Sequence, residues 1–520
     1  MKAILRELDI GNSVAEFDES LEKYFVENEA FYKLVNDKID IVAGDKGTGK
    51  TALFQIIKKR YGSIAELKGI EVLAGFNPVG SPVFQKLVRE RVLTEGQYAS
   101  VWKAYIIALA GNWVLDIAGA DYSESFSSLS RMLERTGLIS KDDKPETIFS
   151  KIVSAVQRAL LPTEAEIEFT FSETGVPVVT PKMKFGKRDD EEAVDEVSHE
   201  EAFALLEQCL SEIGFSLWIV LDRLDEAFQG FAEVEIPALR ALFRTYLDLL
   251  PYKNVRLKLF VRRDLLRRIT AGGFVNLTHI NARKVDITWD EADLLNLYCR
   301  RVRDNKHVMA IFEKAALEKG NADSGSIGTG VIKPDPITDE DLFYCIFPGK
   351  IDQAERKPTT WSWIMSRIRD GNDVRPPRNL IGLAKEAQDE QLKSEGRAPR
   401  AYTSGMPIIT TDAVRKALEK LSETRVHDTL LAEASPEVAA HIQKFRRSRS
   451  EHNEASLSEV IGLSGDALQL AINQLVQIGF LESLKASWKI PMLYRDGLEI
   501  TQGKAFGGAN GATPAEDDET

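Results

Sequence analysis

The stretch AGDKGTGKT, residues 43–51, constrains the fold of this 520-residue chain more than any other feature. A short apolar run of strand length, Ile39–Ala43, precedes it, and apolar residues with helical spacing follow from Thr51. The loop therefore joins a buried strand to a helix. It also completes the phosphate-loop pattern G-x-x-x-x-G-K-[ST], whose fixed positions are Gly44, Gly49, Lys50 and Thr51.

The residues of this loop predict how it holds a nucleoside triphosphate. Glycines let successive backbone N–H groups turn toward an anion, and the positive end of the following helix points to the same place. Lys50 is expected to contact the β- and γ-phosphates, and the hydroxyl of Thr51 to ligate Mg²⁺. The candidate nucleotide-binding residues are Gly44, Asp45, Lys46, Gly47, Thr48, Gly49, Lys50, Thr51 and Ala52. The alternative is a strand-to-helix turn without a ligand.

A second buried strand is predicted to end in an acidic residue. FSLWIVLDRLDEAF, from Phe215, is a continuous apolar run up to Asp222, which is typical of a central parallel strand. Such a strand places Asp222 beside the phosphate loop, where its carboxylate can hold Mg²⁺. Asp225 and Glu226 follow as candidate bases for activating water. Their alternative role is to open the next helix, because acidic residues are favoured in a first helical turn.

A third strand ends in arginine residues. The segment VRLKLFVRRDLLRRI, from Val255, places Arg262 and Arg263 at the strand terminus, with Arg267 and Arg268 one turn further on. A guanidinium on the γ-phosphate contributes roughly 10³–10⁵ in rate, from the same chain or from a neighbouring subunit. Arg262 and Arg263 are therefore the catalytic candidates, whereas Arg267 and Arg268 are expected on a basic helix face that pairs with acidic neighbours.

These segments, together with the later VRPPRNLIGLAKEA, resemble the STAND and KAP branch of the bacterial AAA+-type P-loop ATPases. The resemblance extends from about residue 20 to about residue 500, and the phosphate loop is its most specific part. It implies a sensor role for Arg262 or Arg263, and a lid arginine, Arg378 with Arg375, that contacts the γ-phosphate. Many such ATPases carry a glutamate directly after the aspartate of the second strand. This chain has Arg223 there, which keeps open the alternative of a scaffold with little turnover.

Composition narrows the class of protein further. The formal net charge of −13 predicts that the molecule as a whole is repelled by nucleic acid and by anionic membranes. The three cysteines form no C-x-x-C pattern, so neither a disulfide framework nor a zinc site is indicated, and a reducing cytoplasm fits. The most apolar run, AYIIALAGNWVL from Ala104, is too short to span a bilayer and is expected to be a buried helix.

Changes of pattern along the chain predict its domains. A β-hairpin with its turn at Thr174–Gly175 is expected within the insertion, and a capping box of Thr288 and Glu291 is expected to open the lid. The predicted domains are a P-loop ATPase domain over residues 1–285, with a helical and β-hairpin insertion at about 80–200, a helical lid over 286–398, a winged-helix domain over 406–503, and a disordered acidic tail over 504–520.

The winged-helix domain raises the question of DNA binding. Its expected recognition helix, from Asp466 to Ile478, contains no lysine or arginine, although major-groove readers need donors there. The nearby KFRRSRS, from Lys444, is basic enough to contact phosphates. The helix composition favours packing or docking of a protein partner over sequence-specific DNA recognition.

Together these patterns predict an α/β P-loop NTPase of AAA+/STAND type, with a parallel sheet, a helical insertion, a helical lid and a C-terminal winged-helix domain. The expected function is a cytoplasmic switch that binds and hydrolyses ATP with Mg²⁺ and couples a signal to a protein partner or effector. The resemblance suggests a bacterial defence system and a homo-oligomer. The alternatives are a DNA-associated ATPase resembling origin-recognition proteins and a nucleotide-gated scaffold.

Overall fold

The computed structural model describes residues 1–75, 93–139, 143–159, 170–171, 177–178, 198–227, 232–271, 273–323, 337–432 and 434–506. The chain divides into two compact units. The first, here called the sheet unit, comprises Glu27–Gly44 and Lys50–Ile287. The second, here called the helical unit, comprises Met1–Val26, Asp45–Gly49 and Thr288–Thr520. The domain boundaries given above stay predictions.

The sheet unit is built around a parallel five-stranded sheet. The strands of this sheet are β1 (Ile41–Gly44), β2 (Ile70–Ala74), β5 (Ser216–Leu221), β6 (Val255–Arg262) and β7 (Lys284–Asp286). Two further strands, β3 (Thr170–Phe171) and β4 (Pro177–Val178), form a separate pair. The parallel sheet has the order β2-β5-β6-β1-β7, and β3 pairs only with β4, in antiparallel fashion. All four residues of β1 are buried, because a central parallel strand is covered on both faces. The hairpin of β3 and β4 agrees with the predicted one, whose turn lies outside the described residues.

Helices surround this sheet. Their bounds are Glu29–Val35, Lys50–Arg60, Glu95–Ala118, Glu124–Arg135, Pro145–Ala159, His199–Ile213, Leu224–Ala227, Ala232–Leu249, Arg263–Thr270 and Leu277–Ala282. The helix Glu95–Ala118 is long and apolar enough to cross a membrane, yet most of its residues are buried in the core of the sheet unit. Within that core, its Trp102 donates a hydrogen bond from Nε1 to Ala238 O at 2.8 Å. The prediction of a buried helix is confirmed, whereas the expectation that the segment is too short to span a bilayer is wrong, because the helix has 24 residues.

A buried ion cluster fixes the entry to β1. Lys258, in the middle of β6, is fully buried, and its Nζ donates to Asp40 Oδ1 at 2.8 Å and to Ile39 O at 2.9 Å. Burial opposes ionisation of Asp40, but hydrogen bonds from Arg283 and Lys258 outweigh it and hold the pKa of that carboxyl below its usual range. The amino end of β1 is therefore anchored by charges that satisfy one another.

The helical unit contains the N-terminal segment and the C-terminal part of the chain. Its helices are Lys2–Glu7, Leu21–Tyr24, Glu291–Arg303, Lys306–Asp323, Asp339–Ile346, Thr360–Arg367, Pro377–Arg397, Thr411–Arg425, Val426–Leu431, Pro436–Lys444, Glu454–Ile461, Gly465–Gln477 and Met492–Arg495. The N-terminal segment is bound to the helix Pro377–Arg397, where Gln388 Nε2 donates to Leu5 O and Leu8 O, both at 2.6 Å.

The cap of the helix Glu291–Arg303 differs from the predicted one. Thr288 and Glu291 do not form a capping box, and that prediction is wrong. Asp290 is the N-cap, and its Oδ1 accepts a hydrogen bond from the backbone N–H of Asp293 at 2.7 Å. Aspartate caps at least as well as threonine, so the residue next to the first helical position takes the role.

A second, smaller sheet lies near the C-terminus. Its strands are β8 (Arg449–His452), β9 (Glu482–Ser483), β10 (Trp488–Lys489) and β11 (Thr501–Lys504), in the order β11-β8-β10-β9. Three helices adjoin these strands in the chain: Pro436–Lys444 comes before β8, and Glu454–Ile461 and Gly465–Gln477 lie between β8 and β9. The loop after the helix Thr360–Arg367 contacts this region, because the Gly371 N–H donates to Gly479 O at 2.7 Å.

Candidate functional site

The phosphate loop leaves β1 at Gly44 and enters the helix Lys50–Arg60. Gly47 and Gly49 have φ angles of 79° and 100°, a left-handed region that other residues adopt only with strain. Within the loop, the Thr48 hydroxyl donates to Asp45 O at 2.8 Å. The backbone itself therefore requires glycine at Gly49, a fixed position of the pattern, and at Gly47, a position that the pattern leaves open.

Lys50 and Thr51 are the first two residues of this helix, which belongs to the sheet unit. The Nζ of Lys50 donates to Gly44 O at 2.8 Å, so the ammonium lies at the carboxyl end of β1. Ala52, the third residue of the helix, is partly buried, and Lys46 lies exposed at the tip of the loop. The cation therefore lies where the loop begins, and its contact with phosphates stays a prediction.

Asp222 follows β5 and is almost fully buried, with 1% of its surface exposed. It accepts a hydrogen bond from the Thr51 side chain and one from the backbone N–H of Arg223. Burial raises the pKa of Asp222 to about 6, against the lowering effect of these hydrogen bonds and of the Lys50 charge. The structure thus brings Asp222 beside Lys50 and Thr51, two segments of the chain that were predicted to meet.

The surroundings of the second carboxylate oxygen of Asp222 show whether this site could bind a metal ion. Oδ2 is buried and has no hydrogen-bond partner among the described residues. A carboxylate oxygen beside a threonine hydroxyl provides the oxygen ligands that Mg²⁺ prefers, with phosphate oxygens and water completing the shell. The described residues contain no group of three or more histidine, cysteine or acidic side chains that would form a protein-only metal cage. The residues fit a magnesium ion that is bound together with phosphates.

The two candidate bases lie on the short helix Leu224–Ala227, directly after Arg223. Arg223 has a φ of 55°, which is unusual for a residue with a side chain. Its Nη1 lies 3.3 Å from Glu226 Oε2, and Arg262 Nη1 lies 3.4 Å from Asp225 Oδ2. Each candidate base is therefore held by an arginine.

The arginines at the end of β6 are paired with carboxylates. Arg262, in register with Gly44 of β1, contacts Asp264 through Nε at 3.0 Å and Nη2 at 2.9 Å. Arg263 Nε donates to Asp286 Oδ1 at 3.1 Å. The structure places both candidates at the carboxyl edge of the sheet, and the sequence did not reveal their acidic partners.

Within the helical unit, the loop residues Asp45–Gly49 contact two side chains. Trp289 Nε1 donates to Thr48 O at 2.7 Å, a contact that was not predicted from the sequence. Arg378 lies against Gly47, where an added Cβ would stand 3.0 Å from the arginine Cβ. The candidate lid arginine is therefore beside the loop. Its proposed companion Arg375 instead pairs with Asp373, with Nη2 3.1 Å from Oδ1.

The expected pairing of the basic helix face holds in part. Arg268 forms an ion pair with Glu235. Arg267 is exposed and forms no ion pair within the described part of the chain, so that prediction is confirmed for one residue and wrong for the other.

Comparison with known proteins gives distant similarity only. No family model and no curated protein matches the chain. It is similar to the Aeropyrum pernix ORC2 protein in its ADPNP–ADP complexes, with 11% identity, a TM-score of 0.40, and coverage of 92% of this chain and 96% of that one. It is also similar to the Walker-type ATPase PABY2304 of Pyrococcus abyssi, with 12% identity, a TM-score of 0.37, and coverage of 95% of this chain and 100% of that one. A third similar structure is Drosophila ORC bound to DNA, with 12% identity, a TM-score of 0.28, and coverage of 96% of this chain and 90% of that one.

With TM-scores this low, the fold class rests on the chain's own features. A parallel α/β sheet carries a strand, a complete phosphate loop and a helix, and the end of β5, which β6 separates from β1, supplies a buried aspartate. This combination defines the P-loop NTPase fold.

Proposed function

We propose that this chain is an ATP-binding molecular switch of the AAA+/STAND (KAP-like) class that hydrolyses ATP with Mg²⁺. The observation that carries the proposal is the contact between Asp222 and Thr51. It brings the acidic end of β5 to the last residue of a complete phosphate loop, and it leaves a buried carboxylate oxygen without a partner among the described residues. Such an arrangement is suited to a metal-bound triphosphate.

In this proposal, the loop N–H groups and Lys50 hold the phosphates, while Thr51 and Asp222 hold the magnesium ion. The ion supplies charge neutralisation on the phosphate oxygens. Asp225 or Glu226 orients and deprotonates the attacking water, and Arg378 contacts the γ-phosphate. The arginines at the end of β6, Arg262 and Arg263, position these groups or stabilise the developing charge.

The test is the substitution Lys50→Ala, followed by titration with a fluorescent ATP analogue. Loss of the ammonium removes the charge aimed at the β- and γ-phosphates, so we expect binding to fall below detection while the fold is retained. Lys58→Ala is the matched control, since Lys58 is exposed on the same helix. If the Lys50 variant binds the analogue with the affinity of the wild type, the phosphate-loop assignment is wrong.

We propose that the switch acts on a protein partner or effector. The partner would bind the C-terminal winged-helix domain predicted for residues 406–503, a range that contains β8–β10 and most of β11. The outward face of the helix Gly465–Gln477 supports protein docking, because Gln469, Leu470 and Asn473 are exposed on it and it carries no lysine or arginine. A homo-oligomer, a cytoplasmic location and a role in bacterial defence are parts of the same proposal.

DNA association is the first alternative, and the basic run near Lys444 bears on it. Lys444 donates to Ile461 O, and Arg446 and Arg447 both pair with Glu499. These internal contacts reduce the charge available to a phosphate backbone. ATP-stimulated DNA binding that weakens steeply with salt would favour this alternative.

A nucleotide-gated scaffold with little turnover is the second alternative. It is favoured by Arg223, which occupies the position of the usual glutamate and pairs with Glu226. Tight ATP binding combined with a turnover no faster than that of the Glu226→Gln variant would establish it.

A further inference from the structure

A pocket of about 460 Å³ opens in the sheet unit, between the helix Arg263–Thr270, the helix Leu277–Ala282 and the end of β7. Its polar lining is Arg263, Arg267, Thr270, Asn281, Lys284 and Asp286. Three of these side chains are cationic and one is a carboxylate, so the lining carries a formal excess of two positive charges. The protein as a whole has the opposite sign of charge, which makes this excess a local feature.

One carboxylate serves two of the cations. Asp286 Oδ1 lies 3.1 Å from Arg263 Nε, and Asp286 Oδ2 lies 3.0 Å from Lys284 Nζ. Both oxygens are therefore engaged, and neither is directed at Arg267. Burial opposes ionisation of Asp286, but Lys284 and Arg263 outweigh it and hold the pKa of that carboxyl below its usual range.

Arg267 is the cation that this internal pairing leaves out. It lies four residues after Arg263 on the same helix, so the two guanidinium groups share one face. Arg267 is exposed and forms no ion pair or side-chain hydrogen bond within the described residues. Like charges at this spacing disfavour each other, and an anion placed between them would reverse the sign of the interaction.

We propose that this pocket binds the dianionic phosphate of a small phosphate monoester. Two guanidinium groups provide forked donors that match phosphate oxygens, and the lysine adds a point charge. The charge of the monoester equals the excess of the lining. The volume lies within the roughly 300–1,000 Å³ of small-molecule sites, so it leaves space for the organic part of the ligand.

The pocket shares residues with the edge of the sheet that carries the candidate nucleotide site. Asp286 is in register with Ala43, the residue before Gly44 of the phosphate loop, and Arg263 follows Arg262. A phosphate that draws Arg263 away from Asp286 therefore acts on one candidate catalytic arginine and next to the other, Arg262. The proposal concerns a second site, and binding there does not depend on whether the chain hydrolyses ATP.

The test measures binding of inorganic phosphate and of phenyl phosphate to the full chain by calorimetry, in the Lys50→Ala background, so that the phosphate loop does not compete. We expect phenyl phosphate to bind, and Arg267→Gln and Lys284→Gln each to weaken it by tenfold or more. Arg268→Gln is the matched control, because Arg268 is the adjacent arginine of the same helix, pairs with Glu235 and does not line the pocket. Its affinity should stay within twofold of the parent.

Three outcomes would overturn the proposal. The first is no binding of either phosphate probe by a folded Lys50→Ala protein. The second is equal binding by the Arg267, Lys284 and Arg268 variants. The third is binding of benzoate as tight as that of phenyl phosphate, since the pocket would then select a single negative charge and not the dianion. Unchanged thermal unfolding of each variant shows that an altered affinity reflects the pocket itself.

Discussion

The substitution Asp222→Asn is expected to stabilise the protein in the absence of ligands while removing its response to magnesium. Asp222 is 1% exposed, and its pKa is raised from 3.8 to about 6, so the folded chain disfavours the carboxylate. A carboxyl with a raised pKa stabilises the fold when it is protonated, and that contribution is lost as the pH rises through about 6.

The size of the effect follows from these two values. The difference between 3.8 and about 6 corresponds to about 3 kcal/mol at pH 8, at 1.36 kcal/mol per pKa unit. Asparagine is a neutral analogue of the protonated acid with nearly the same shape, so the variant should recover about 1–3 kcal/mol. At pH 5 the wild-type carboxyl is largely protonated in the folded state, and the gain should fall to about half.

Thermal unfolding in EDTA, without nucleotide, measures this prediction at pH 8 and pH 5. We expect the variant to melt several degrees above the wild type at pH 8, with a smaller difference at pH 5. Asp116→Asn is the control, because Asp116 is exposed at the end of a helix. In a parallel ATP titration, added Mg²⁺ should raise the affinity of the wild type but not of the variant. A variant that is less stable than the wild type at pH 8, or that still responds to Mg²⁺, would refute the reasoning.

Two further predictions concern turnover and packing. Glu226→Gln should retain ATP binding and slow hydrolysis by roughly 10² or more, the contribution of one positioned base, whereas Asp225→Asn should have a smaller effect; wild-type rates in both variants would place the base elsewhere. Gly371→Ala should lower the melting temperature, because the new Cβ would stand 2.7 Å from the backbone C and O of Leu481. Thermal unfolding measures this loss, and Gly396→Ala is the control, because its added methyl meets nothing within 4 Å.

The sequence was sufficient for the fold wherever a local pattern coincides with the tertiary position. The strands β1, β5 and β6 are apolar runs that end in a glycine loop, an aspartate or an arginine, and each was predicted with its functional end. Lys258 shows the limit. Its charge interrupts the apolar run of β6, and its partner Asp40 lies 218 residues away in the chain, a separation that no local pattern bridges. Only the assembled sheet brings the two together.

The residues of the candidate site were likewise predicted only in part from the sequence. The phosphate loop and Asp222 are defined by short patterns, so the sequence located them without a structure. The partners of the arginines were missed, because Asp264 and Asp286 carry no pattern of their own. Asp286 gains its role from the register of β7 with β1, whereas Asp264 lies two residues after Arg262, in the first turn of the helix Arg263–Thr270. Trp289 was missed for a related reason. An aromatic residue before a helix is common, and its hydrogen bond to Thr48 depends on a loop far away in the chain.

Arg223 departs from the sequence pattern and also shapes the backbone of the candidate site. At the sequence level it is a departure, because arginine stands where many P-loop ATPases carry a glutamate. In the structure its backbone adopts a φ of 55°, a conformation that costs roughly 1–2 kcal/mol for a residue with a side chain. That turn directs the N–H of Arg223 to Asp222 and starts the helix that carries both candidate bases. The side chain then restrains Glu226 by an ion pair. Because strain of this size persists only where the surrounding contacts enforce it, the turn at Arg223 is a constrained one, and under the proposed function it fixes the position of Glu226.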